Sequence, residues 1–180
     1  GLAVDIGSTT VAAHLCNLST GEVLASAGMM NPQIRFGEDL MSRVSYIMMH
    51  PDEDTEMTKV IRETINEMAV KVATESNRKL DEIVEVTFVG NPIMHHLLLG
   101  INPLELGGAP FALATDESVR IRARDLKINL HTNTRCYVLP CIAGHVGADT
   151  AGMILSEAPH KREAITLLVD IGTNAEIVLG

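Results

Sequence analysis

The sequence of 180 residues is poor in aromatic side chains, with no tryptophan, two tyrosines and three phenylalanines. Proteins that bind single-stranded nucleic acid stack bases on such side chains, and few are present here. Acidic residues also outnumber lysine and arginine by 23 to 14, which gives a formal net charge of −9. Because a phosphate backbone is bound by releasing counterions to basic side chains, nucleic acid is not expected as a main partner.

Cysteines are scarce as well, at three. Cys16, Cys136 and Cys141 are odd in number and contain no CxxC pair, so their spacing indicates neither a disulfide framework nor a zinc or iron–sulfur site. We interpret them as small core residues.

Long hydrophobic runs are also missing: the longest are far shorter than a membrane span, and the N-terminus lacks the order of a secretory signal. We therefore expect a soluble, cytoplasmic protein with no membrane partner. The chain begins without methionine and stops just after a repeated turn, which suggests a segment of a longer protein. Its 46% of hydrophobic residues still allow a substantial core.

The most informative feature that is present is a strand and turn that occurs twice. Residues 1–10 read GLAVDIGSTT, an apolar strand that carries Asp5 and then meets Gly7 and three hydroxyl residues. Residues 167–174 read LLVDIGTN and repeat the phrase with Asp170 and Gly172. One such turn is a weak motif, but two at opposite ends of the chain indicate a duplicated structural unit.

This turn has a definite chemical use. Glycine lets the backbone approach a phosphate closely, N–H and hydroxyl groups donate to its oxygens, and a nearby carboxylate holds Mg²⁺ directly or through water. The alternative is that Asp5 and Asp170 only cap their turns, which is common for aspartate before glycine. The repetition favours a pair of phosphate turns that face each other.

The order of predicted elements indicates an α/β fold. Three antiparallel strands at the start are followed by helices near 40–50 and 52–72, a strand at 85–89 and a helix at 93–99. A strand at 137–142 and a helix at 148–156 come next, and the hairpin 165–179 begins the order again. Parallel strands need helical crossovers, so a mixed sheet with helices on both faces is predicted. Residues 101–135, with short strands at Val119, Ile121, Ile128 and Leu130, are predicted as an inserted subdomain.

The duplicated VDIGST and VDIGTN turns resemble the two phosphate loops of the acetate and sugar kinase, Hsp70 and actin superfamily. That resemblance implies a ribonuclease-H-like actin-type ATPase lobe with a mixed five-stranded sheet over residues 1–160. It implies that 161–180 is the first hairpin of a second lobe, and that ATP and Mg²⁺ bind in the cleft between lobes. The site is not of the Walker type, since no GxxxxGK[ST] occurs.

Three further stretches narrow the resemblance: NPQIRFGEDLMSRVSY at 31–46, VGNPIMHHLLLGINP at 89–103 and LPCIAGHVGADTAGMIL at 139–155. Together they are similar to the actin-like ATPase domain of the reductive activators of corrinoid proteins. The resemblance implies an ATPase that drives an electron onto an inactive cobalt(II) corrinoid, with an iron–sulfur cluster in a domain outside this chain. The implied partner is a corrinoid protein or methyltransferase system, and a homodimer is an open expectation.

The resemblance carries over to individual residues. The first phosphate loop and the second phosphate loop would consist of Asp5, Gly7, Ser8, Thr9 and Thr10, and of Asp170, Gly172, Thr173 and Asn174. Asp5 and Asp170 would hold Mg²⁺ through water and take part in catalysis, and Gly144 and Glu176 would also contact the cofactor. Asp149 would orient or deprotonate the attacking water. Asp149 as a helix N-terminal residue and Glu176 as an exposed strand residue remain equal alternatives.

Other polar residues leave their roles open. His95 and His96 are adjacent on a helix and point about 100° apart, which favours core or interlobe packing over chelation of one ion. His145 can contact a partner. Asn31, Gln33, Arg35 and Arg43 form a polar set that either reaches the nucleotide or a partner, or lies at solvated loop and helix ends.

Two other classes of function remain open on the sequence. A small-molecule kinase would use the same fold, and its phosphate would appear on an acceptor rather than on water. A non-enzymatic assembly or chaperone module of the actin and Hsp70 type would polymerise or bind peptides. Activators of 2-hydroxyacyl-CoA dehydratases also share the fold and the electron role, but hold their cluster through cysteines between two subunits. Fold alone does not choose among these classes.

Overall fold

The computed structural model describes residues 1–172 and 175–180. Within them, helices and strands follow the predicted order. The strands are β1 (Leu2–Ile6), β2 (Thr10–Cys16), β3 (Val23–Met30), β4 (Glu85–Gly90), β5 (Val119–Arg122), β6 (Arg135–Val138), β7 (Leu167–Ile171) and β8 (Ala175–Leu179). The α-helices are α1 (Leu40–Met49), α2 (Glu53–Glu75), α3 (Pro92–Leu99) and α4 (Ala148–Glu157).

Strands β1 to β6 form one mixed sheet in the order β3-β2-β1-β4-β6-β5. The first three strands are an antiparallel meander, and β1–β4 and β4–β6 pair in parallel, as the helical crossovers require. The predicted number of five strands is wrong by one. Strand β5, from the region predicted as an inserted subdomain, pairs antiparallel with β6 because Val119 and Ile121 pack against the core of this sheet.

A second correction concerns residues 128–130, which were expected to form a short strand. Ile128 is buried but follows a 3₁₀ turn, Ala123–Leu126, and belongs to no strand. The backbone there bonds to helix α2 instead, since Asn66 Nδ2 donates to the Lys127 carbonyl at 3.1 Å and Asn129 N–H donates to Asn66 Oδ1 at 2.7 Å. The alternating apolar residues Ile128 and Leu130 therefore pack a loop against the core and do not form a strand.

The core lies between one face of the sheet and helices α1, α2 and α3. Strand β1 shows why, since Leu2, Val4 and Ile6 are buried while Ala3 and Asp5 alternate to the other face. Helix α2 packs an apolar stripe at helical spacing against this sheet: Met57, Ile61, Ile65, Met68 and Val72 are all buried. Each deeply buried side chain of this size contributes about 1.5–3 kcal/mol.

Helix ends follow local sequence signals. Asp39 accepts a hydrogen bond from Ser42 N–H at the start of α1. Asn91 accepts one from Met94 N–H at the start of α3, and Pro92 occupies the first helical position. Gly100 ends α3 with a φ of 78°, a left-handed conformation that favours glycine. The four predicted helices thus begin and end close to where the sequence places them.

Strands β7 and β8 form a separate two-stranded sheet around the second acidic turn, with Asp170 paired to Glu176. Their apolar side chains are largely exposed, including Ile171 and Leu179. The division into a first lobe at 1–160 and a second at 161–180 remains a prediction. Among the described residues, no helix is both long and apolar enough to span a membrane.

Candidate functional site

The first acidic turn lies at the carboxyl edge of the parallel strands. Strand β1 ends at Ile6, the turn runs through Gly7 to Thr9, and β2 returns antiparallel from Thr10. Gly7 is required by close packing, because a Cβ at this position would stand 2.6 Å from the Thr10 carbonyl oxygen. The neighbouring strand β4 ends at Gly90, directly beside Ile6, so the segment that follows β4 reaches the same edge.

A cavity of about 200 Å³ opens at this edge, and it brings the two acidic turns together. Its described lining comprises Asp5, Gly7, Ser8, Thr9, Thr10, Asn91, Asp149, Asp170, Gly172 and Glu176. All of these except Asn91 are residues that the sequence proposed for the site. Strands from opposite ends of the chain therefore contribute to one cavity.

Four carboxylates line the cavity, and the pKa values of Asp5, Asp149 and Glu176 are raised there. Desolvation, followed by the charges of Asp149 and Asp170, raises the pKa of Asp5 to about 6. Desolvation also raises the pKa of Asp149, and Asp170 adds to the shift. The pKa of Glu176 is raised by desolvation and then by Asp149 and Asp170. Since the described lining contains no lysine or arginine, the cavity is electrostatically suited to a cation.

The oxygen-rich lining fits Mg²⁺ held through water. Among the described residues, no three histidine, cysteine or acidic side chains are close enough to form a metal cage. Mg²⁺ keeps several waters and is commonly held by one or two carboxylates together with substrate phosphates, so it does not need such a cage. Asp5 and Asp170 can hold it in this way, and the ion would neutralise phosphate charge.

Asp149 stands at the N-terminal turn of α4, where its Oδ1 accepts a hydrogen bond from Thr150 N–H at 2.8 Å. The same side chain lines the cavity, so its capping role and its position at the site are compatible. Helix α4 is placed by a close contact, since a Cβ on Gly147 would lie 2.6 Å from both the Asn91 Cα and the Gly90 carbonyl oxygen. The absent side chain lets Asp149 approach the turn after β4.

Asn91 lines the cavity, although it is not among the residues that the sequence assigned to the phosphate loops or to catalysis. It is buried, its Oδ1 caps α3, and its Nδ2 donates to Ser8 Oγ at 3.2 Å. This bond ties the turn after β4 to the turn after β1. A usable signal was present in the sequence, because a Gly-Asn-Pro turn after a strand parallel to β1 must reach the same sheet edge.

The polar set near residue 31 does not behave as either sequence interpretation expected. Asn31, Gln33 and Arg43 are fully buried. Asn31 and Arg43 donate to carbonyls of the first turn from the core side, and Arg43 also donates to Gln33. Arg35 differs from them, since it is exposed and forms an ion pair with Glu56 at 3.1 Å. The loop folds inward because the 3₁₀ turn Pro32–Phe36 packs on α2, where Gln33 Nε2 donates to the Met57 carbonyl at 2.9 Å.

Three other predicted site residues are placed differently or not described. Gly144 packs against the backbone of Phe111. Thr173 and Asn174, predicted for the second phosphate loop, lie outside the described residues.

The histidines occupy distinct environments. His95 and His96 are buried, and desolvation, followed by the nearby His96, lowers the pKa of His95 to about 4. The two nitrogens of His96 are used in structural contacts, with Nδ1 2.8 Å from the Pro92 carbonyl oxygen and Nε2 accepting Ala114 N–H at 3.0 Å. His145 is exposed with its ring 4.4 Å from that of Phe111.

The thiols are mostly core groups. Cys136 and Cys141 are buried, and burial raises the pKa of their thiols to about 12 and about 11. Cys16 is half-buried at the end of β2. Thiols with raised pKa values are poor metal ligands near neutral pH, because the thiolate is the ligand form.

A larger cavity, of about 680 Å³, lies along β4, β5 and β6. Its lining includes Arg120, Arg122 and Arg135, and it contains none of the described residues of the two acidic turns. We therefore place the candidate site at the smaller cavity, where the repeated motif converges.

The sheet order and the paired turns define the class of protein: an α/β fold of the actin-like ATPase and kinase type. A structure from Sinorhizobium meliloti, provisionally described as a 2-dehydro-3-deoxygalactonokinase, shares this fold with a TM-score of 0.51 at 12% identity, covering 99% of this chain and 48% of that one. The chain belongs to the family described as the RACo middle region, whose model matches residues 1–162.

Individual relatives agree with this family. A solved structure described as a reductive activator for corrinoid, iron–sulfur protein matches with a TM-score of 0.96 and 36% identity, over 100% of this chain and 29% of that one. The corrinoid activation enzyme RamQ of Eubacterium limosum is 32% identical over 100% of this chain and 30% of its own length. The [Co(II) methylated amine-specific corrinoid protein] reductase of Methanosarcina barkeri is 25% identical over 99% of this chain and 34% of its own length. The chain therefore spans about a third of these relatives.

Proposed function

We propose that this chain is the ATP-binding and ATP-hydrolysing part of a reductive activator that returns a cobalt(II) corrinoid protein to the cobalt(I) state. The observation that carries the proposal is the cavity in which Asp5 and the turn after it meet Asp149, Asp170 and Glu176. Membership of the RACo middle region family and the names of the relatives support a corrinoid protein as the target.

The first acidic turn would bind the phosphates. The described lining of the cavity supplies hydroxyl groups from Ser8, Thr9 and Thr10, and Gly7 allows close backbone approach. Gly172 would serve the second turn in the same way, with Thr173 and Asn174 completing it in sequence.

The carboxylates would divide the remaining tasks. Asp5 and Asp170 would hold Mg²⁺ through water, and the ion would supply charge neutralisation to the phosphates. Asp149 would position the attacking water and accept its proton, because its raised pKa makes it a better base than an ordinary aspartate. Glu176 is close enough to these groups to share the water or the ion.

ATP would drive the electron by favouring one arrangement of two lobes over another. A ligand shifts such an equilibrium only by its differential affinity, and a site built from two hairpins provides that difference when the hairpins separate. Residues 161–180 would then begin the second lobe. One electron from an iron–sulfur cluster in a domain outside this chain would reduce cobalt(II) to cobalt(I), and water would receive the phosphoryl group.

The complete protein would be cytoplasmic, would act on a corrinoid protein or methyltransferase system, and would form a homodimer. The acidic net charge of this chain, −9, gives no reason to expect nucleic acid as a partner.

Asp149→Asn in the complete protein tests the proposal. We expect phosphate release from ATP, and the ATP-dependent formation of cobalt(I) followed by absorbance, to fall together by about 10²–10⁴-fold, the usual contribution of a positioned base. Asp81→Asn is the matched control, since Asp81 is exposed in the 3₁₀ turn Leu80–Glu82.

Three results would contradict the proposal. The first is transfer of phosphate by the unmodified protein to an added small molecule rather than to water, which would favour a kinase. The second is phosphate release without any effect on the cobalt centre. The third is that both rates of Asp149→Asn stay at the level of the Asp81→Asn control.

A further inference from the structure

Arg43, on helix α1, is a fully buried arginine that the proposed mechanism does not use. Within the described residues, no carboxylate oxygen lies within ion-pair distance of its guanidinium. Burying an unpaired charge is costly, so a side chain of this kind needs several hydrogen bonds to persist. Desolvation lowers the pKa of Arg43 to about 10, so the group remains charged near neutral pH.

The hydrogen bonds of Arg43 end on the first acidic turn, on residues 33–37 and on Met94 of helix α3, whose Sδ lies 3.1 Å from Nη1. Its Nη2 donates to the Ser8 carbonyl, and its Nε donates to the Gly37 carbonyl at 2.9 Å. Its Nη1 donates to Gln33 Oε1 at 3.3 Å. The guanidinium thus holds a backbone carbonyl of the turn with a charge-assisted bond.

Asn31 holds the neighbouring carbonyls of the same turn. Its side-chain Nδ2 donates to the Gly7 carbonyl at 2.8 Å, and its backbone N–H donates to the Thr9 carbonyl at 2.8 Å. With the bond from Arg43 to Ser8, each carbonyl from Gly7 to Thr9 has a donor on the protein side. Asn31 is itself fixed, because its Oδ1 accepts Gln33 N–H at 3.0 Å.

This arrangement fixes the direction of the turn's N–H groups. In a trans peptide the N–H points opposite to the carbonyl of the same unit. Carbonyls of Gly7 and Ser8 that face the core therefore direct the N–H groups of Ser8 and Thr9 away from it. Among the described residues neither N–H has a hydrogen-bond partner, and both residues line the cavity.

The buried Arg43 guanidinium also offsets part of the negative charge of the cavity. Four carboxylates line the cavity in the described part of the chain, and no lysine or arginine joins them there. A polyphosphate in this cavity would meet negative charge on several sides. A guanidinium behind Ser8 is a permanent positive charge in a region of low dielectric, where its field is screened less than at the surface.

We propose that Arg43 is the positioning residue of the first phosphate turn, acting with Asn31 to hold its carbonyls toward the core and so to present the N–H groups of Ser8 and Thr9 to the ligand's phosphates. The inference deepens the proposed function and rests on it. Arg43 touches no ligand atom in this role and acts only through the turn.

The test compares Arg43→Met and Arg43→Lys in the complete protein, with Arg35→Met as the matched control. Arg35 is an exposed arginine of the preceding 3₁₀ turn, paired with Glu56. Dissociation constants are measured for Mg·ATP and for adenosine by calorimetry, on variants whose fold is checked by circular dichroism. Adenosine lacks phosphates, so it reports general damage to the protein.

We expect Arg43→Met to weaken Mg·ATP binding by about 10- to 100-fold, the cost of removing a charged hydrogen bond from a buried acceptor. Arg43→Lys keeps the charge but not the three-way bonding, so a smaller loss of about threefold is expected. Adenosine affinity should change by less than about twofold in each variant, and Arg35→Met should match the unmodified protein.

The outcomes distinguish a failure of the role proposed for Arg43 from a failure of the proposed ATP function. If folded Arg43 variants bind Mg·ATP as the unmodified protein does, or lose ATP and adenosine affinity equally, the positioning role is overturned while the ATP function stands. If Arg43→Met does not fold, the ATP-selective loss in Arg43→Lys decides. If the unmodified protein binds no Mg·ATP, the proposed function falls and this role with it.

Discussion

At the scale of single residues, the site is a set of carboxylates held close together at an energetic cost. Asp5 illustrates it: the side chain is open to the cavity, yet desolvation and the charges of Asp149 and Asp170 raise its pKa to about 6. Like charges that are gathered without a counterion destabilise the fold that gathers them. Such a cost is typical of a site that is completed by a cation.

Replacing Asp5 by asparagine is expected to stabilise the metal-free protein near pH 8. Folding raises the pKa of Asp5 from 3.8 to about 6, so the ionised side chain costs stability as pH rises through that interval. Because the side chain is exposed to solvent, we expect a gain of about 1 kcal/mol in the free energy of unfolding. Urea unfolding near pH 4 and pH 8 measures it, and the gain should vanish near pH 4.

The same variant should gain less stability than the unmodified protein when Mg·ATP is added, since it would lack one of the two carboxylates proposed to hold the ion. Asp81→Asn serves again as the exposed control. A lower stability of Asp5→Asn at pH 8, or an equal gain at both pH values, would show that the carboxylate is not strained in the apo protein.

At the scale of elements, the site depends on how closely helix α4 approaches the turn between β4 and α3. Gly147 precedes the helix and has no side chain to separate it from Gly90 and Asn91. Its φ of −91° is accessible to any residue, so the constraint is steric and not conformational. Asp149 reaches the cavity because of this contact.

Gly147→Ala should therefore displace α4, lower the rate of ATP hydrolysis and lower the free energy of unfolding. The added methyl group would stand 2.6 Å from the Asn91 Cα, and both neighbours are backbone, which cannot move aside. Overpacking of this kind costs about 1–3 kcal/mol, measured by thermal unfolding. We expect the rate of phosphate release to fall by about tenfold or more, since small misplacements of a catalytic group are costly.

Gly108→Ala is the control for this prediction, because a Cβ there meets nothing within 4 Å. Unchanged phosphate release in Gly147→Ala would mean that the position of α4 does not matter for the chemistry.

At the scale of the whole molecule, the central feature is that the first and last strand pairs meet at one cavity. Asp5 lies at the end of β1 in the six-stranded sheet, and Asp170 lies on β7 in a separate two-stranded sheet. The charge of Asp170 contributes to the raised pKa of Asp5. The two hairpins are thus coupled through space, although no strand pairing joins them among the described residues.

A double-mutant cycle on Asp5→Asn and Asp170→Asn tests whether they act on one ligand. For the free energy of Mg·ATP binding to the complete protein, we expect a coupling of about 0.5–3 kcal/mol, because both side chains are proposed to hold the same ion. Asp5→Asn combined with Asp81→Asn should be additive. Additivity in the first pair as well would place the two turns in separate sites.

Much of this architecture could be predicted because it depends on local patterns. The period of apolar residues gave the four helices and the meander, and the repeat of VDIG identified both turns. The polar residues near position 31 could not be read in this way. Asn31 and Arg43 look like ordinary loop and helix residues, and only the fold shows that their donors end on Gly7 and Ser8.

The sequence by itself determined the repeated acidic turns, the order of elements and the family resemblance, since these depend on residue types and spacing along the chain. Only the tertiary structure decided that Val119–Arg122 joins the main sheet, that Asn91 lines the cavity of the two acidic turns, and that the buried Arg43 donates to the first turn. The physical reason is that strand pairing, burial and the direction of a hydrogen bond depend on neighbours that are distant in sequence, and no local pattern records them.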